Sequence, residues 1–531
     1  MIESPRRGRA RGLVLPLLSG ALLGATFQPW GLAFFAFAAM APFLVALHRI
    51  AEARERPIGA ALRAAYRTGY AAGAGYFVLL GHWFVLLDAP QLPHRVVMLP
   101  LFALLVAYLA LYPALFAVLV VLGARRTRIP FAFLAPPLWV ATEWLRGSGP
   151  LGFPWGNVGY ALAASGPLLQ SAAWVGVNGL TLIVVGANAA LAAAVTLRSR
   201  GRARAAAAAV VATAAIVVAL HAAGAARLRA HPPAADPPTR VAIVQPNIPS
   251  SIKWDWEFKD RSVDAIARLL RRVPPGGVAL SVWPETAIPA YLHDERGYFK
   301  IVKTLIAGTG APALFGFPDT EVTPDERVYY NAAILVLPDG TEAGEYKKVR
   351  LVPFGEALPF QSIFPALRHV DFGEADFTPG TEYTQFEVPG IRFGVSICFE
   401  AIFPEMTRRL VNGGADVVVN ITNDAWYGRS SSAWQHARMS VVRTVEDGVS
   451  LVRAANTGIS LVADPYGRIV AESELFVETL LVVPLDPRRV QTFYARHGDW
   501  SLKLSLALSF LAVAGALAPI PFVARRGRRD S

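Results

Sequence analysis

Three short segments of the sequence each carry a reactive side chain that we expect just after a hydrophobic strand. Glu285 follows a Trp-Pro pair, Lys348 lies eight residues before Glu356, and Cys398 lies two residues before Glu400. A carboxylate can accept a thiol proton, the resulting thiolate can attack an acyl carbonyl, and an ammonium can stabilise the oxyanion that develops. Glu285, Lys348 and Cys398 are therefore a sufficient set for acyl transfer.

Each of these residues also has an ordinary structural interpretation. A single cysteine at a strand end is commonly a small buried hydrophobic residue. Glu285 could support a helix N-terminus, and Lys348 could be a solvated hairpin lysine. Cys398 is the only cysteine, which excludes an intrachain disulfide and a cysteine-based zinc site. The joint occurrence of the three residues in the order Glu, Lys, Cys favours a catalytic site.

The elements around these residues predict one α/β domain between about residues 232 and 500. Asp339-Gly340 and Tyr466-Gly467 are typical of hairpin turns. Helical spacing of apolar residues occurs over Asp260–Arg272 and Phe403–Asn412. The predicted strands are Arg240–Gln245, Val278–Trp283, Ala313–Phe317, Ala332–Leu337, Phe393–Ile397, Asp416–Ile421 and Ser450–Ala455. The reactive residues lie at the ends of such strands, where α/β sheets present their sites.

The rest of the chain has the composition of a membrane protein. Hydrophobic residues make up 54% of the sequence and charged residues only 17%, with a mean hydropathy of +0.39. About 20 apolar residues cross a bilayer, and eight stretches approach this length. They cover about residues 12–27, 31–48, 66–87, 97–122, 130–145, 170–197, 205–227 and 503–523. We therefore predict eight transmembrane helices.

The arginines indicate how these helices are oriented. The net charge is +12, and five clusters that hold 20 arginines lie between or beside the apolar stretches, on alternate sides. They are near residues 6–11, 49–67, 125–128, 198–204 and 525–529. The positive-inside rule makes these clusters cytoplasmic. Both termini are then cytoplasmic, the α/β domain lies outside the cytoplasm, and the basic excess indicates no nucleic-acid partner.

Several sequence motifs resemble those of a known family. They are Gly152-Phe-Pro-Trp155, Val244-Gln-Pro-Asn-Ile248 followed by Lys253-Trp254, Leu351-Val-Pro-Phe-Gly-Glu356, and Asn420-Ile-Thr-Asn-Asp-Ala-Trp426-Tyr-Gly428. The α/β region resembles the nitrilase superfamily, whose Glu-Lys-Cys triad lies on an αββα sandwich. With the apolar stretches, nearly the whole chain resembles the bacterial apolipoprotein N-acyltransferases.

The resemblance implies a role for each matching residue. Glu285 would be the general base, Lys348 the oxyanion-stabilising lysine and Cys398 the nucleophile, with Glu356 and Glu400 as supporting acids. Trp254 would lie on a mobile arm near the membrane-facing entrance.

Three further residues are candidates for substrate binding on their position beside the apolar stretches. Trp155 and Trp426 could pack against lipid or simply belong to the interfacial aromatic belt. Arg146 could bind a phosphate head group or form a local ion pair with Glu143.

The resemblance also implies the architecture and the reaction. Residues 1–230 would form a seven-helix membrane domain, residues 231–500 an extracytoplasmic nitrilase-like catalytic domain, and residues 501–531 a last transmembrane helix with a basic cytoplasmic tail. The enzyme would reside in the bacterial inner membrane. It would move an acyl chain from a phospholipid, expected to be phosphatidylethanolamine, through a Cys thioester to the α-amine of a diacylglyceryl-cysteine apolipoprotein. No metal or cofactor motif is visible.

Two positions depart from the family pattern, and two other functions compete. Phe399 stands where the family often has Tyr, and Arg350 where it often has His. A membrane-tethered nitrilase-type amidase would use the same triad with water as acceptor, but a soluble substrate requires no membrane domain. A transporter or scaffold would place paired charges at mid-membrane and show internal repeats, and the sequence shows few such charges and no repeat.

Overall fold

We examined the chain in a computed structural model. The structure describes residues 5–87, 95–234, 237, 239–249, 256–324, 326–359 and 377–518. The elements below refer to these residues.

The amino-terminal part is a bundle of helices connected by short turns. The helices are α1 (Pro5–Ala25), α2 (Ala36–Ala39), α3 (Ala41–Glu52), α4 (Ile58–Gly81), α5 (Arg95–Leu109), α6 (Leu111–Arg126), α7 (Phe131–Arg146), α8 (Gly166–Leu169), α9 (Ala172–Ser199) and α10 (Ala203–Ala230). Each apolar stretch predicted before residue 230 overlaps one or more of them. Among the helices long enough to cross a membrane, α10 is the most exposed and buries almost none of its surface within the protein.

Six helical segments of the described chain are long and apolar enough to cross a membrane. They are Ala33–Glu52, Ile58–Leu86, Val97–Arg126, Ala172–Ser199, Ala203–Ala230 and Trp500–Leu517. Of the eight predicted spans, six are therefore shown among the described residues. The first stretch has an apolar part, Gly12–Ala25, that is too short. The fifth forms α7, which has 16 residues and contains Pro136 and Pro137.

The α/β region contains two six-stranded mixed sheets. The first has the strand order β12-β1-β2-β3-β4-β5, and the second has the order β11-β10-β9-β8-β7-β6. The strands are β1 (Thr239–Gln245), β2 (Leu280–Val282), β3 (Ala313–Val322), β4 (Arg327–Val336), β5 (Glu342–Lys347), β6 (Gln385–Val388), β7 (Ile391–Ile397), β8 (Val417–Thr422), β9 (Ser450–Ala455), β10 (Leu461–Ala463), β11 (Ile469–Glu472) and β12 (Thr479–Leu485). All seven predicted strands are present. The two predicted turns join the antiparallel pairs β4–β5 and β10–β11.

Alternating side chains place each sheet between another sheet and a helical layer. Successive residues of a strand point to opposite faces. Val241 and Ile243 of β1 belong to the core shared by both sheets, whereas Ala242 and Val244 pack in the core that the first sheet forms with helices. Those helices are α11 (Trp256–Leu270) and α12 (Arg296–Thr309). On the second sheet, α13 (Pro404–Asn412) and α14 (Ser431–Asp447) cover the outer face. The predicted α/β nitrilase-like architecture is confirmed at this level.

The membrane bundle and the α/β region share one hydrophobic core. The cluster that fills the space between the sheets continues through Phe399 and Ile402 to Trp155 and Tyr160 of the bundle. The Tyr160 hydroxyl donates a hydrogen bond to the Ile402 carbonyl at 2.8 Å. The chain ends its described part with α15 (Phe493–His497) and α16 (Trp500–Leu517), which return to the bundle. The catalytic cysteine predicted from the sequence thus lies close to this junction.

Candidate active site

A buried ammonium group lies between two carboxylates at the end of β5. Lys348 follows the last residue of β5 and is only 1% exposed. Its Nζ lies 2.7 Å from Glu356 Oε1 and 3.4 Å from Glu285 Oε1. Asn331 Nδ2 donates to the same two oxygens, at 2.9 Å and 2.8 Å respectively. The structure thus brings together three of the predicted site residues and adds Asn331, which we did not predict.

The two carboxylates decide the charge of the lysine. Burial by itself lowers the pKa of Lys348, but the neighbouring Glu356 and Glu285 outweigh it and raise the pKa above its usual value. Lys348 is therefore a permanently protonated ammonium inside the protein. A fixed positive charge in a buried site is suited to stabilising a developing oxyanion.

Glu285 is held on a tight turn that follows β2. The next residue, Thr286, has a positive φ of 47°. The turn packs against β3 at Gly316, where an added Cβ would lie 2.7 Å from Glu285 Cα. The second carboxylate oxygen, Oε2, accepts a hydrogen bond from the Asn423 backbone N–H at 2.7 Å. These contacts fix Glu285 between the two sheets.

Cys398 lies at a sharp turn directly after β7. Its φ is 52°, in the left-handed region that side chains rarely adopt, and it is 9% exposed. Such backbone strain tends to occur at functional sites. Burial raises the pKa of the thiol, the charge of Glu285 raises it further, and Lys348 opposes this change. Cys398 is therefore a neutral thiol at rest, and both predicted partners act on it electrostatically.

Both supporting acids also accept hydrogen bonds from backbone N–H groups. Glu356 Oε2 accepts a hydrogen bond from the Val352 N–H at 2.8 Å. The Glu400 carboxylate accepts from several groups of both sheets, and it is fully buried. They are the N–H groups of Val349 (2.8 Å), Arg350 (2.9 Å) and Ile397 (2.7 Å) and the Tyr346 hydroxyl (2.9 Å). Glu400 thereby joins the segment that carries Lys348 to the strand that carries Cys398.

The two positions that depart from the family pattern contact a common neighbour. The Arg350 guanidinium lies 4.3 Å from the centre of the Phe403 ring and pairs with Glu405 at 2.9 Å. Phe399 packs edge-on against Phe403, with ring centres 5.1 Å apart. These side chains form one stack beside the nucleophile turn.

A buried polar network lies on the other side of the nucleophile. We call Asn420, Asp424, His436 and Arg453 the rear network; all four are buried. His436 Nε2 lies 3.1 Å from the Cys398 carbonyl oxygen and Nδ1 lies 3.0 Å from Asp424 Oδ1. Arg453 donates to Asp424 Oδ2 at 2.7 Å and to Asn420 Oδ1. Sequence reasoning missed this network, because these residues are spread over β8, the turn that follows it, α14 and β9.

The predicted lipid-binding residues occupy different environments. Trp155 is 1% exposed, and its Nε1 donates to Gln435 Oε1 at 2.7 Å. Arg146 is also 1% exposed and donates to the carbonyls of Phe153 (2.9 Å) and Trp155 (2.6 Å). Arg146 thus holds the Gly152–Trp155 loop in place. Its role in substrate binding stays a prediction.

Of the other two residues, only Trp426 lies in the part of the chain that the structure describes. Trp426 is partly buried in the short turn Asp424–Tyr427 that follows β8. Trp254 lies outside the described residues. Their roles in substrate binding also stay predictions.

The fold and the site define the general class of this protein. The carbon-nitrogen hydrolase family matches residues 240–495, which include the two sheets and the Glu285, Lys348 and Cys398 side chains. An amidase from Nesterenkonia sp. superposes with a TM-score of 0.38 and 20% identity, covering 51% of this chain and 98% of that chain. By its match to the family model, the α/β region is a carbon-nitrogen hydrolase domain, attached to a multi-pass membrane bundle.

The bundle and the full-length relatives identify the family. Residues 19–190 match the apolipoprotein N-acyltransferase N-terminal domain. The apolipoprotein N-acyltransferase of Geobacter metallireducens is 36% identical over 97% of this chain and 96% of its own length. That of Rhodopseudomonas palustris is 34% identical over 94% of each chain. The chain belongs to the apolipoprotein N-acyltransferase family.

Proposed function

We propose that this chain transfers an acyl group from a phospholipid to the N-terminal amine of a lipoprotein through a thioester on Cys398. The observation that carries the proposal is the buried Lys348 ammonium, held by Glu285 and Glu356 beside the turn that presents the only thiol of the chain. Membership of the family supports a lipid donor and a lipoprotein acceptor. Phosphatidylethanolamine is the proposed donor.

In the first half-reaction the thiol becomes acylated. Glu285 accepts the Cys398 proton as the sulfur attacks the ester carbonyl, and Lys348 stabilises the oxyanion of the tetrahedral intermediate. The C–O bond then breaks, and the proton passes from Glu285 to the departing lysophospholipid oxygen. The enzyme retains the acyl chain as a thioester.

In the second half-reaction the acceptor amine takes the acyl chain. The neutral α-amine of diacylglyceryl-cysteine attacks the thioester carbonyl, and Glu285 removes the proton from the nitrogen. The C–S bond breaks, and the thiolate of Cys398 regains that proton. Thioesters react readily with amines, and the burial of Cys398 supports protection of the intermediate from water.

We further propose the domain boundaries and orientation implied by the sequence. Residues 1–230 and 501–531 anchor the chain in the inner membrane, with both termini and the arginine clusters in the cytoplasm. Residues 231–500 form the catalytic domain on the outer side of that membrane. Continuity of the hydrophobic core between bundle and sheets supports a site at the membrane surface, where both lipid substrates reside.

A test of the nucleophile measures acyl-enzyme formation. Purified protein incubated with phosphatidylethanolamine should gain the mass of one acyl group in a hydroxylamine-sensitive bond, and Cys398→Ala should not. Lys348→Met should also fail to form the acyl-enzyme, whereas Lys347→Met should form it, because Lys347 pairs with Glu321 at the surface. N-acylation of a lipopeptide by Cys398→Ala would refute the assignment. Release of free fatty acid at the same rate with and without lipopeptide would instead indicate a hydrolase.

A further inference from the structure

The nucleophile turn is held from behind by two side chains that bind one carbonyl. The Cys398 carbonyl oxygen lies 3.1 Å from His436 Nε2 and 3.4 Å from Asn420 Nδ2, and both side chains are fully buried. This is the carbonyl of the residue whose φ is 52°. A strained conformation persists only where its surroundings fix it. The orientation of the Cys398 side chain therefore depends on what holds this carbonyl.

The hydrogen-bond partners assign the tautomer of His436. A carbonyl can only accept, so the Nε2 atom must carry a proton. On the other side, the Arg453 guanidinium lies 3.1 Å from Nδ1 and can donate to it. Asp424 Oδ1 also lies 3.0 Å from Nδ1, but a carboxylate cannot donate to that atom, and this oxygen accepts instead from the Thr422 hydroxyl at 3.1 Å. Burial and the adjacent Arg453 lower the pKa of His436, which agrees with a neutral ring protonated at Nε2.

This tautomer argues against His436 as the general base. The Cys398 thiol, an Asp424 carboxylate oxygen and a His436 nitrogen lie within 4.8 Å of one another, which resembles a Cys-His-Asp triad. However, Nε2 already donates to a carbonyl, and the Nδ1 lone pair accepts from Arg453. No lone pair of the ring is left to accept the thiol proton. The base must come from elsewhere, as the Glu285 assignment requires.

The membrane bundle packs directly onto this histidine. The Trp155 ring centre lies 5.6 Å from that of His436, and the indole N–H is bonded to the neighbouring Gln435. The Trp155 backbone is itself fixed by Arg146, at the end of α7. His436 is therefore enclosed between a loop of the bundle and the nucleophile turn.

We propose that neutral His436 is the positioning residue for Cys398, and that Trp155 of the bundle holds His436 in place. His436 would then keep the thiol in its productive orientation only while the α/β domain packs against the bundle. The proposal rests on Cys398 being the nucleophile. It gives the Gly152–Trp155 loop a role in acylation other than lipid contact.

Three substitutions of His436 separate positioning from base catalysis and from simple packing. Gln places its amide N–H where Nε2 lies, Asn places it nearer to Nδ1, and Leu has no donor. We expect His436→Gln to form the acyl-enzyme within about threefold of the wild-type rate. His436→Asn and His436→Leu should be slower by about tenfold, the scale of one lost hydrogen bond. The phospholipid concentration for half-maximal rate should stay unchanged, because the defect lies in the thiol and not in the binding of lipid.

Two results would overturn the proposal. An equally reduced rate of acyl-enzyme formation in all three variants would indicate a base or a packing role for His436. Wild-type rates in all three would show that the Cys398 carbonyl needs no hydrogen-bond donor. If His436→Leu does not fold, the comparison of Gln with Asn still decides, with thermal unfolding measured for each. Cys398→Ala is run in parallel: acyl transfer by that variant would refute the proposed nucleophile, whereas its inactivity beside a fully active His436→Asn refutes only the positioning role.

A double variant tests the contribution of the bundle. Trp155→Leu should slow acyl-enzyme formation in the wild-type background and have little further effect in His436→Leu, because both changes release the same carbonyl. If the two defects instead multiply, Trp155 acts independently of His436 and that part of the proposal is wrong.

Discussion

At the scale of single residues, the site keeps its lysine charged and its cysteine neutral. Lys348 lies between two carboxylates, whereas the Cys398 thiol is buried and repelled by the charge of Glu285. A thiol in such surroundings becomes nucleophilic only as its proton leaves. In the proposed mechanism this proton leaves as the sulfur attacks the ester, so the resting thiol should react slowly with other electrophiles.

The raised pKa of Cys398 predicts how its alkylation depends on pH. Because the pKa lies above the usual value of about 8.5, the thiolate fraction should still be rising at pH 10. The rate of modification by iodoacetamide, followed by mass spectrometry on this only cysteine, should therefore increase from pH 7 to about pH 10 without reaching a plateau. In Lys348→Met the rate at pH 9 should be lower, since the ammonium that favours the thiolate is gone. A plateau by about pH 8 would indicate an activated thiolate and contradict this description.

Part of this site could be predicted from the sequence. Glu285 and Cys398 follow apolar strands, and all three residues match family motifs, so their proximity is expected. Lys348, however, follows the polar strand β5, and not the hydrophobic strand that we predict before it. Asn331 was not predicted, because a single Asn in β4 next to Ala332 has no distinguishing neighbour. His436 was not predicted either. Its partners come from separate elements, which only the folded chain brings together.

At the scale of elements, the bundle packs through glycines. α1 contains Gly20 and Gly24, four residues apart, and α4 contains Gly69 and Gly73 with the same spacing. A Cβ at Gly20 would lie 1.8 Å from the Ala72 carbonyl oxygen. Small residues at this spacing let membrane helices approach closely. The backbone of α1 at Gly20 therefore packs directly against the backbone of α4.

A matched pair of substitutions in α1 tests this contact. Gly20→Ala should lower the unfolding temperature in detergent, because relieving the contact forces α1 and α4 apart, and overpacking of this kind costs about 1–3 kcal/mol. Gly12→Ala, in the same helix, should be neutral or slightly stabilising, since an added Cβ there meets open space. Equal unfolding temperatures for both variants would contradict the packing described.

The elements were predictable to different degrees. Long apolar helices and buried strands such as β9 were predicted with nearly correct boundaries. β5, with the sequence Glu-Ala-Gly-Glu-Tyr-Lys, was missed because it is polar and half-exposed. α14 was also missed, although Ser430 caps its first turn through a bond from the Ser432 N–H. Its apolar face is interrupted by Gln435 and His436, the residues that contact the bundle and the nucleophile.

At the scale of the whole molecule, arginine placement predicts which side of the membrane each part faces. The chain has one cysteine, so Cys398→Ala provides a background for single labels. In that background, Thr341→Cys in the β4–β5 turn should react with a membrane-impermeant maleimide added to intact spheroplasts. Ser199→Cys, at the end of α9, should react only after permeabilisation. Both positions are exposed, and the opposite pattern of labelling would overturn the proposed orientation.

The number of spans was the least predictable global property. Composition and charge alternation located every apolar stretch, but they do not measure helix length. α7 ends after 16 residues at Arg146, whose guanidinium turns back to bind the loop that follows. The position of such a helix end depends on tertiary hydrogen bonds, which hydropathy does not record.

The hydrogen bonds of Glu400 oppose separation of the Lys348 segment from the Cys398 strand. Its carboxylate binds backbone N–H groups from the lysine segment and from the end of the cysteine strand at once. Separating either segment leaves a buried charge without its donors, which is costly. Local fluctuation therefore seldom exposes the thiol while the sheets remain folded. We expect the same bonds to protect the proposed acyl-enzyme while it waits for an acceptor, so that its lifetime depends on the cooperativity of the two sheets as well as on the chemistry of the thioester.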